Sequence, residues 1–86
     1  MQLSDASGRV VGTKQTLRAV ERGVARTVYL ARDADQRILR PLREACAKAG
    51  VPVIEVESMA ELGRQCGITV GAAAAAVLSL PGGKGA

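Results

Sequence analysis

The chain has 86 residues, of which 48% are hydrophobic, and it carries a net charge of +4 with no histidine. This length suits one domain with a single modest core. The absence of histidine removes the usual general base and the commonest metal ligand. Because the chain shows no apolar run of about 18 residues and no signal-peptide pattern, we expect a cytoplasmic protein without a membrane span.

Few side chains are suited to catalysis or metal binding. Cys46 and Cys66 are far apart in the sequence, so they predict reduced thiols in the core and no metal site or cofactor. Asp33 and Asp35 form a D-x-D pattern that an enzyme could use to hold a divalent cation. A turn in which both bond to their own backbone is the simpler interpretation. The sequence therefore predicts a non-enzymatic protein.

Positive charge is concentrated in one part of the chain. Residues 9–48 hold ten basic and four acidic side chains, a net +6, whereas the remainder sums to −2. Such asymmetry favours a polyanion partner, but a solvated arginine-rich face would give the same pattern. Charge alone leaves both interpretations open.

The first half of the chain predicts strand, helix and strand. Val10-Val11 predicts a brief strand, and residues 13–23 predict a helix with Thr13 as N-cap and Gly23 as its C-terminal glycine. The β-branched run 27–31 predicts a strand buried on both faces. A turn is expected at residues 33–35.

The second half continues the alternation. Because proline disrupts a helix interior, we expect a short turn at 36–39 and a helix only from Pro41 to Ala49. Residues 51–56 predict a strand, and a capping box of Ser58 with Glu61 begins a helix that ends at Cys66. Alternating strands and helices predict a three-layer α/β domain.

The alanines at 72–76 have two interpretations. Intrinsic preference favours a helix, whereas small side chains also suit a strand between two helical layers. The local pattern alone favours the helix. Residues 81–86 predict a flexible tail, which leaves one domain over residues 1–80.

The candidate binding segment begins at the glycine turn of Gly12 and Thr13. Lys14 and Arg18 share one face of the predicted helix, and Gln15 lies beside them. Cations attract phosphate, and an amide both donates and accepts at base edges. This helix start therefore suits a nucleic-acid groove.

Three segments together resemble a known family: GTKQTLR at 12–18, ARDAD at 31–35 and ELGRQCGITVGAA at 61–73. In this order and spacing they resemble the kink-turn RNA-binding ribosomal protein family, most closely its short bacterial members of the YbxF type. The resemblance covers residues 9–80. It implies a three-layer α-β-α sandwich with a mixed four-stranded sheet, in which the alanines form a strand.

The resemblance also implies a partner. Members bind RNA that bends sharply at a bulge flanked by sheared G·A pairs, such as ribosomal RNA or a structured leader, and we expect a monomer. The wider family carries Gly-x-Asn-Glu-x-x-Lys. Here Lys14, Gln15 and Arg18 stand where asparagine, glutamate and lysine are usual, which is the pattern of the bacterial subgroup. Glutamate only accepts from guanine amino groups, whereas glutamine also donates.

A second contact is implied at the apolar loop 67–72, which in the family packs against unstacked nucleotides. The alternative is that Ile68 and Val70 are core residues at a strand entrance. The residues expected to contact RNA are Gly12, Thr13, Lys14, Gln15, Arg18, Arg32, Asp33, Ile68, Thr69, Val70 and Gly71. Nonselective phosphate attraction is expected from Arg9, Arg22, Arg26 and Arg32.

The same fold also serves protein-interaction adaptors, so an adaptor without specific RNA binding is the alternative function. The basic helix start favours RNA. The chain has a single aromatic residue, Tyr29, which argues against a single-strand binder that stacks bases on aromatic rings.

Overall fold

The structure is a computed structural model that describes residues 8–79. The predicted C-terminal tail, residues 81–86, lies outside the described residues. The elements are β1 (Arg9–Val11), α1 (Thr13–Glu21), β2 (Ala25–Ala31), α2 (Gln36–Ala49), β3 (Val53–Val56), α3 (Met59–Gln65) and β4 (Ala74–Leu78). Within residues 8–79, none of the helices has the length and apolar character needed to cross a membrane.

The four strands form one mixed sheet in the order β1-β4-β2-β3. β4 pairs antiparallel with both β1 and β2, whereas β2 and β3 are parallel. A parallel pair needs a crossover connection, which here is α2. The carboxyl ends of β1, β2 and β3 therefore lie at one edge of the sheet, together with the amino end of β4. Because all three helices begin there, we call it the helix-start edge: residues 12–15, 31–38, 56–59 and 67–74.

Helices cover both faces of the sheet. α1 and α2 pack on each other on one face, and α3 packs against β2, β3 and β4 on the other. The core lies between these layers, where Leu39 and Leu42 of α2 and Leu62 of α3 are fully buried with Val28 and Leu30 of β2. The expected three-layer sandwich with a mixed four-stranded sheet is confirmed.

The alanine-rich segment forms β4, in the interior of the sheet. Ala74, Ala75 and Ala76 are buried and lie between β1 and β2, with which β4 pairs on its two sides. Intrinsic helix preferences differ by under about 1 kcal/mol per residue for most residue types, so pairing and burial outweigh them. The strand implied by the family resemblance is confirmed, and the helix favoured by the local pattern is wrong.

α2 is one unbroken helix, so the predicted turn at 36–39 and the predicted helix start at Pro41 are wrong. A proline in a helix interior costs about 3 kcal/mol. Burial of an aliphatic side chain stabilises by about 1.5–3 kcal/mol, and Leu39, Leu42 and Cys46 are all buried along α2. Their burial offsets the proline, which lies on the exposed side of the helix.

Both cysteines are buried and free, as expected of small core residues. Burial raises the pKa of the Cys46 thiol. A raised pKa favours the neutral thiol, which is a poor nucleophile. The second half also follows the prediction at α3, where Ser58 is the N-cap and its Oγ accepts from the Glu61 N–H at 3.1 Å.

Candidate nucleic-acid interface

Backbone hydrogen bonds join the segments of the helix-start edge. The Gly12 N–H donates to the carbonyl of the first residue of β4 at 2.8 Å, and the Ala31 N–H donates to Ala73 at 3.0 Å. The Arg32 N–H donates to the last carbonyl of β3 at 2.8 Å. These bonds fix the relative positions of the helix starts, so side chains on different segments form one surface.

The start of α1 depends on a glycine. Gly12 is the N-cap, with φ 111° and ψ 151°, a conformation that L side chains rarely adopt. Its carbonyl accepts from the Thr16 N–H at 2.9 Å. Thr13 is the first helical residue, so the predicted N-cap was wrong by one position. Because glycine takes the cap position, no side chain caps the first turn of α1.

One exposed side of α1 carries two basic side chains and one amide. Lys14, Gln15 and Arg18 are all exposed, as predicted, and the three-to-four spacing places them on adjacent rows of one helix. Neither Lys14 nor Arg18 lies within 4.0 Å of a carboxylate on residues 8–79. Lys14 is therefore an unpaired cation in the first turn of α1, at the positive end of the helix dipole, whereas Arg18 is an unpaired cation in the last turn of the same helix.

The other two helices begin differently. At α2, Asp35 Oδ1 accepts from the Arg37 N–H at 2.9 Å, and the Arg37 guanidinium bound to the same carboxylate lowers the pKa of Asp35. At α3, Ser58 caps the Glu61 N–H, and Asp33 Oδ1 accepts from the first helical N–H at 2.8 Å. Among the helices of residues 8–79, α1 alone begins without a side-chain cap.

The two aspartates of the D-x-D pattern thus serve different purposes. Asp35 bonds to backbone two residues on, as expected of a turn residue. Asp33 does not follow that expectation, because it bonds to the N–H of Met59, 26 positions away. The described residues contain no group of three or more side chains able to hold a metal ion.

The predicted contact loop divides into a packed part and an exposed part. Ile68 packs against the core, as the alternative interpretation requires. Val70 is 69% exposed, and its neighbours Thr69 and Gly71 are also exposed. Val70 is therefore the aliphatic side chain that this loop offers to a ligand, and Ile68 anchors the loop.

Two more apolar residues at the helix-start edge were missed by the sequence analysis. Ile38 is 52% exposed in the first turn of α2, and Met59 is 36% exposed in the first turn of α3. Each of these two residues lies soon after an N-cap and outside the buried face of its helix. That position is the sequence signal that could have identified it. The signal at Ile38 was hidden because residues 36–39 were predicted as a turn. With Val70, these side chains make the edge partly apolar.

The arginines expected to attract phosphate are placed unequally. Arg22, Arg26 and Arg32 are exposed. Arg9 is half-buried, with its guanidinium 5.9 Å from the centre of the Tyr29 ring, and its Nη1 donates to the Gln65 carbonyl at 3.4 Å. Arg9 thus has contacts within the fold, whereas the other three are available to solvent.

Comparison with known proteins identifies a family and several relatives that this chain resembles. Residues 1–82 match the Ribosomal protein L7Ae/L30e/S12e/Gadd45 family. The chain is 51% identical to the RNA-binding protein YbxF of Geobacillus stearothermophilus over 69 residues, which cover 80% of this chain and 84% of that protein. It is 44% identical over 69 residues to the large ribosomal subunit protein eL8 of Halobacterium salinarum, covering 79% of this chain and 58% of that protein.

A solved structure agrees with the sequence comparison. The Giardia lamblia 15.5kD RNA binding protein superposes with a TM-score of 0.82 at 32% identity. The match covers 90% of this chain and 65% of the Giardia chain. Sequence and fold lead to the same assignment, and the chain belongs to the ribosomal protein L7Ae/L30e/S12e/Gadd45 family.

Proposed function

We propose that this protein binds kink-turn RNA, which bends sharply at a bulge flanked by sheared G·A pairs, and that it does so as a monomer in the cytoplasm. RNA binding, the coarser part of the proposal, is supported by the family and by the names of the YbxF and Giardia relatives. The same relatives agree with a non-enzymatic function. The ribosomal name of the Halobacterium relative supports ribosomal RNA as a target, with a structured leader RNA as the other candidate.

The observation that carries the proposal is the start of α1. Its uncapped first turn presents the positive end of the helix dipole, and phosphate is the anion that such an end favours. Lys14 and Arg18 add two unpaired cations. Gln15 supplies an amide that donates and accepts, which suits base edges in a groove. Attraction to phosphate and contact with base edges are thus combined on one exposed side of α1.

Preference for a bend is supported by the apolar part of the edge. Val70, Met59 and Ile38 are exposed beside an otherwise polar surface. An intact duplex offers phosphates, hydroxyls and groove edges, whereas a bulge offers unstacked bases with apolar faces. We infer that these side chains contact the bulge while the start of α1 contacts the groove.

The exposed arginines are proposed to act without selectivity. Removal of Arg22, Arg26 or Arg32 is expected to weaken binding of kinked and straight RNA alike. The slope of log affinity against log salt should fall by up to about one unit for each phosphate that the variant no longer binds. Arg9 should contribute less, because its guanidinium already has contacts within the fold.

The test is a binding comparison between kinked RNA and a straight duplex of equal length. The variant Lys14→Ala/Gln15→Ala/Arg18→Ala should fold, because the three side chains are exposed and alanine is a good helix former. Each groove contact is worth about 1–3 kcal/mol by analogy with base readout in DNA, so the preference for kinked RNA should disappear.

A matched control removes the same charge elsewhere. Arg40 and Lys48 are exposed on α2 and have no carboxylate within 4.0 Å on residues 8–79. Arg40→Ala/Lys48→Ala should therefore keep the preference for kinked RNA. Retention of that preference by the folded α1 variant would refute the proposed site.

An adaptor function is the second candidate, favoured by an open groove of about 620 Å³ between α1 and α2. Its floor includes Leu17, Val20 and Ala45, and Glu44 and Lys48 are among its lining charges. A protein that acts only through this groove should bind kinked and straight RNA equally. The comparison above therefore separates the two candidates.

A further inference from the structure

The Asp33 carboxylate connects two distant parts of the helix-start edge. Its Oδ1 accepts from the backbone N–H of Met59 at 2.8 Å. Asp33 lies in the turn between β2 and α2, whereas Met59 is the first residue of α3. This hydrogen bond fastens the start of α3 to the end of β2.

Met59 in turn holds the loop that carries Val70. Its carbonyl accepts from the Ala72 N–H at 3.0 Å. A Cβ added to Gly71 would lie 3.1 Å from the Met59 Cβ, so the loop backbone lies directly against this residue. The residue that Asp33 holds through its N–H therefore holds the loop through its carbonyl.

The loop also rests on the middle of α3. The Ile68 N–H donates to the Gly63 carbonyl at 3.0 Å, and a Cβ on Gly63 would overlap the Val70 carbonyl oxygen. The backbones of Gly63 and Val70 pack directly against each other here, with no flexible side chain between them. A shift of α3 would consequently move the backbone of Val70 by a similar distance.

We propose that Asp33 is a positioning residue, which sets the loop carrying Val70 through Met59 and supports RNA selectivity without contacting RNA. This inference rests on the proposed function. An acid at an edge that attracts phosphate opposes binding by its charge. The hydrogen bond to α3 accounts for its presence there, and it replaces the direct contact expected for Asp33 from the family resemblance.

The first experiment compares affinities for kinked RNA and for a straight duplex of equal length. Asp33→Ala should lower the ratio of the two by about tenfold, as expected when a hydrogen bond to a charged acceptor is removed. Asp33→Asn keeps an acceptor oxygen in the same place and should retain most of the ratio. Glu57→Ala removes one exposed negative charge near the same edge and should leave the ratio unchanged.

A second pair of variants removes the same hydrogen bond from its donor side. Met59→Pro deletes the N–H at the first helical position, where proline is well tolerated. Met59→Ala shortens the side chain but keeps the N–H. The ratio should fall further in Met59→Pro than in Met59→Ala, and this comparison carries the test if Asp33→Ala does not fold.

Two further measurements test whether the effect passes through the loop. In a background of Val70→Ala with Met59→Ala, Asp33→Ala should cause no additional decrease of the ratio, because the side-chain contacts that it positions have already been removed. Without RNA, the Ala72 amide should exchange its hydrogen faster in Asp33→Ala than in the unaltered protein.

The inference is overturned if folded Asp33→Ala keeps the ratio, or if Asp33→Asn lowers it as much as Asp33→Ala. It is also overturned if Asp33→Ala lowers the ratio further when Val70 and Met59 have both been replaced by alanine. Unchanged exchange at Ala72 also overturns it. Absence of any preference for kinked RNA in the unaltered protein would refute the proposed function instead, and the Ala72 exchange would still report on the connection to the loop.

Discussion

The three helices begin at the same edge of one sheet, but the start of α1 differs from the starts of α2 and α3 in its capping. α2 and α3 receive side-chain caps from Asp35, Ser58 and Asp33. α1 begins at a glycine, receives no side-chain cap, and places Lys14 in its first turn. Side-chain caps stabilise two of the helix starts, whereas the first turn of α1 has no side-chain acceptor and is the proposed contact with RNA.

Under the proposed function, the helix start that contacts RNA is also the helix start with the least stabilisation from side chains. A capping side chain stabilises a helix by roughly a few tenths of a kcal/mol relative to a glycine N-cap, and an acid in the first turn adds about 0.3–1 kcal/mol. Neither is present at α1, although both are present among the other helix starts of residues 8–79. The comparison predicts opposite effects of substitution on stability and on RNA affinity.

The largest expected contrast is within the loop. Ile68→Asp would bury an unpaired carboxylate against the core, and such changes cost about 3 kcal/mol or more. Val70→Asp should change stability by less than about 0.5 kcal/mol because the side chain is exposed. It should still weaken kinked RNA binding by roughly tenfold, because it brings a negative charge to the phosphates. Urea unfolding and binding curves on both variants check this.

Equal destabilisation by the two loop substitutions would show that Val70 is a core residue and not part of the interface. Equal RNA affinity of Val70→Asp and the unaltered protein would leave the loop outside the footprint.

Lys14→Glu should separate stability from binding most clearly. The new acid meets the positive end of the α1 dipole and should raise the free energy of unfolding by about 0.3–1 kcal/mol. The same acid repels phosphate, so RNA affinity should fall by about tenfold or more. Urea unfolding and RNA titration of the same sample measure the two quantities. A decrease in both stability and affinity would show that Lys14 supports the fold.

Ser58→Ala is the converse change. It removes the acceptor for the Glu61 N–H and should lower the free energy of unfolding by about 1 kcal/mol. The hydrogen bond from Met59 to Asp33 stays in place, so the preference for kinked RNA should be kept. Ser79→Ala, at an exposed serine without a cap role, is the control and should change neither quantity.

The smallest effect concerns pH and the paired charges of α2. Arg43 binds Glu55 of β3 at 2.6 Å, and this hydrogen bond lowers the pKa of the Glu55 carboxyl and raises that of Arg43. Because the folded pKa of Glu55 lies below its unfolded value, the pair stabilises above the ordinary carboxyl pKa and loses this effect as pH falls through the folded pKa. Unfolding of Glu55→Gln should depend less on acid pH than unfolding of the unaltered protein.

Local patterns predicted much of the fold because their causes are local. The cap at Ser58 and the glycine after α1 need only a few neighbouring residues to form, and both lie where expected. The exposed basic turn of α1 was likewise visible as a glycine followed by polar residues. The predicted N-cap lies one residue too late, because threonine and glycine are about equally favoured at this position and local preference does not separate Thr13 from Gly12.

The remainder depends on contacts that the sequence does not show. The alanines of β4 form a strand against their intrinsic preference because β4 lies in the interior of the sheet. The small side chains allowed that interpretation, and the family resemblance decided for it. Pro41 predicts a break because its local effect is to disrupt a helix. The burial of one face of α2 outweighs this effect, but that burial depends on packing with other elements, which a local pattern does not show. The bond from Asp33 to Met59 joins residues 26 positions apart, and no local pattern indicates it.

Amide hydrogen exchange with and without kinked RNA shows directly whether RNA binds at the start of α1. If RNA binds there, new protection is expected at residues 13–15, whose N–H groups have no side-chain cap, and in the loop at Val70. The amides of Arg37 and Glu61, already bonded to side-chain caps, should change little. Protection along the groove between α1 and α2, with residues 13–15 unchanged, would contradict the account.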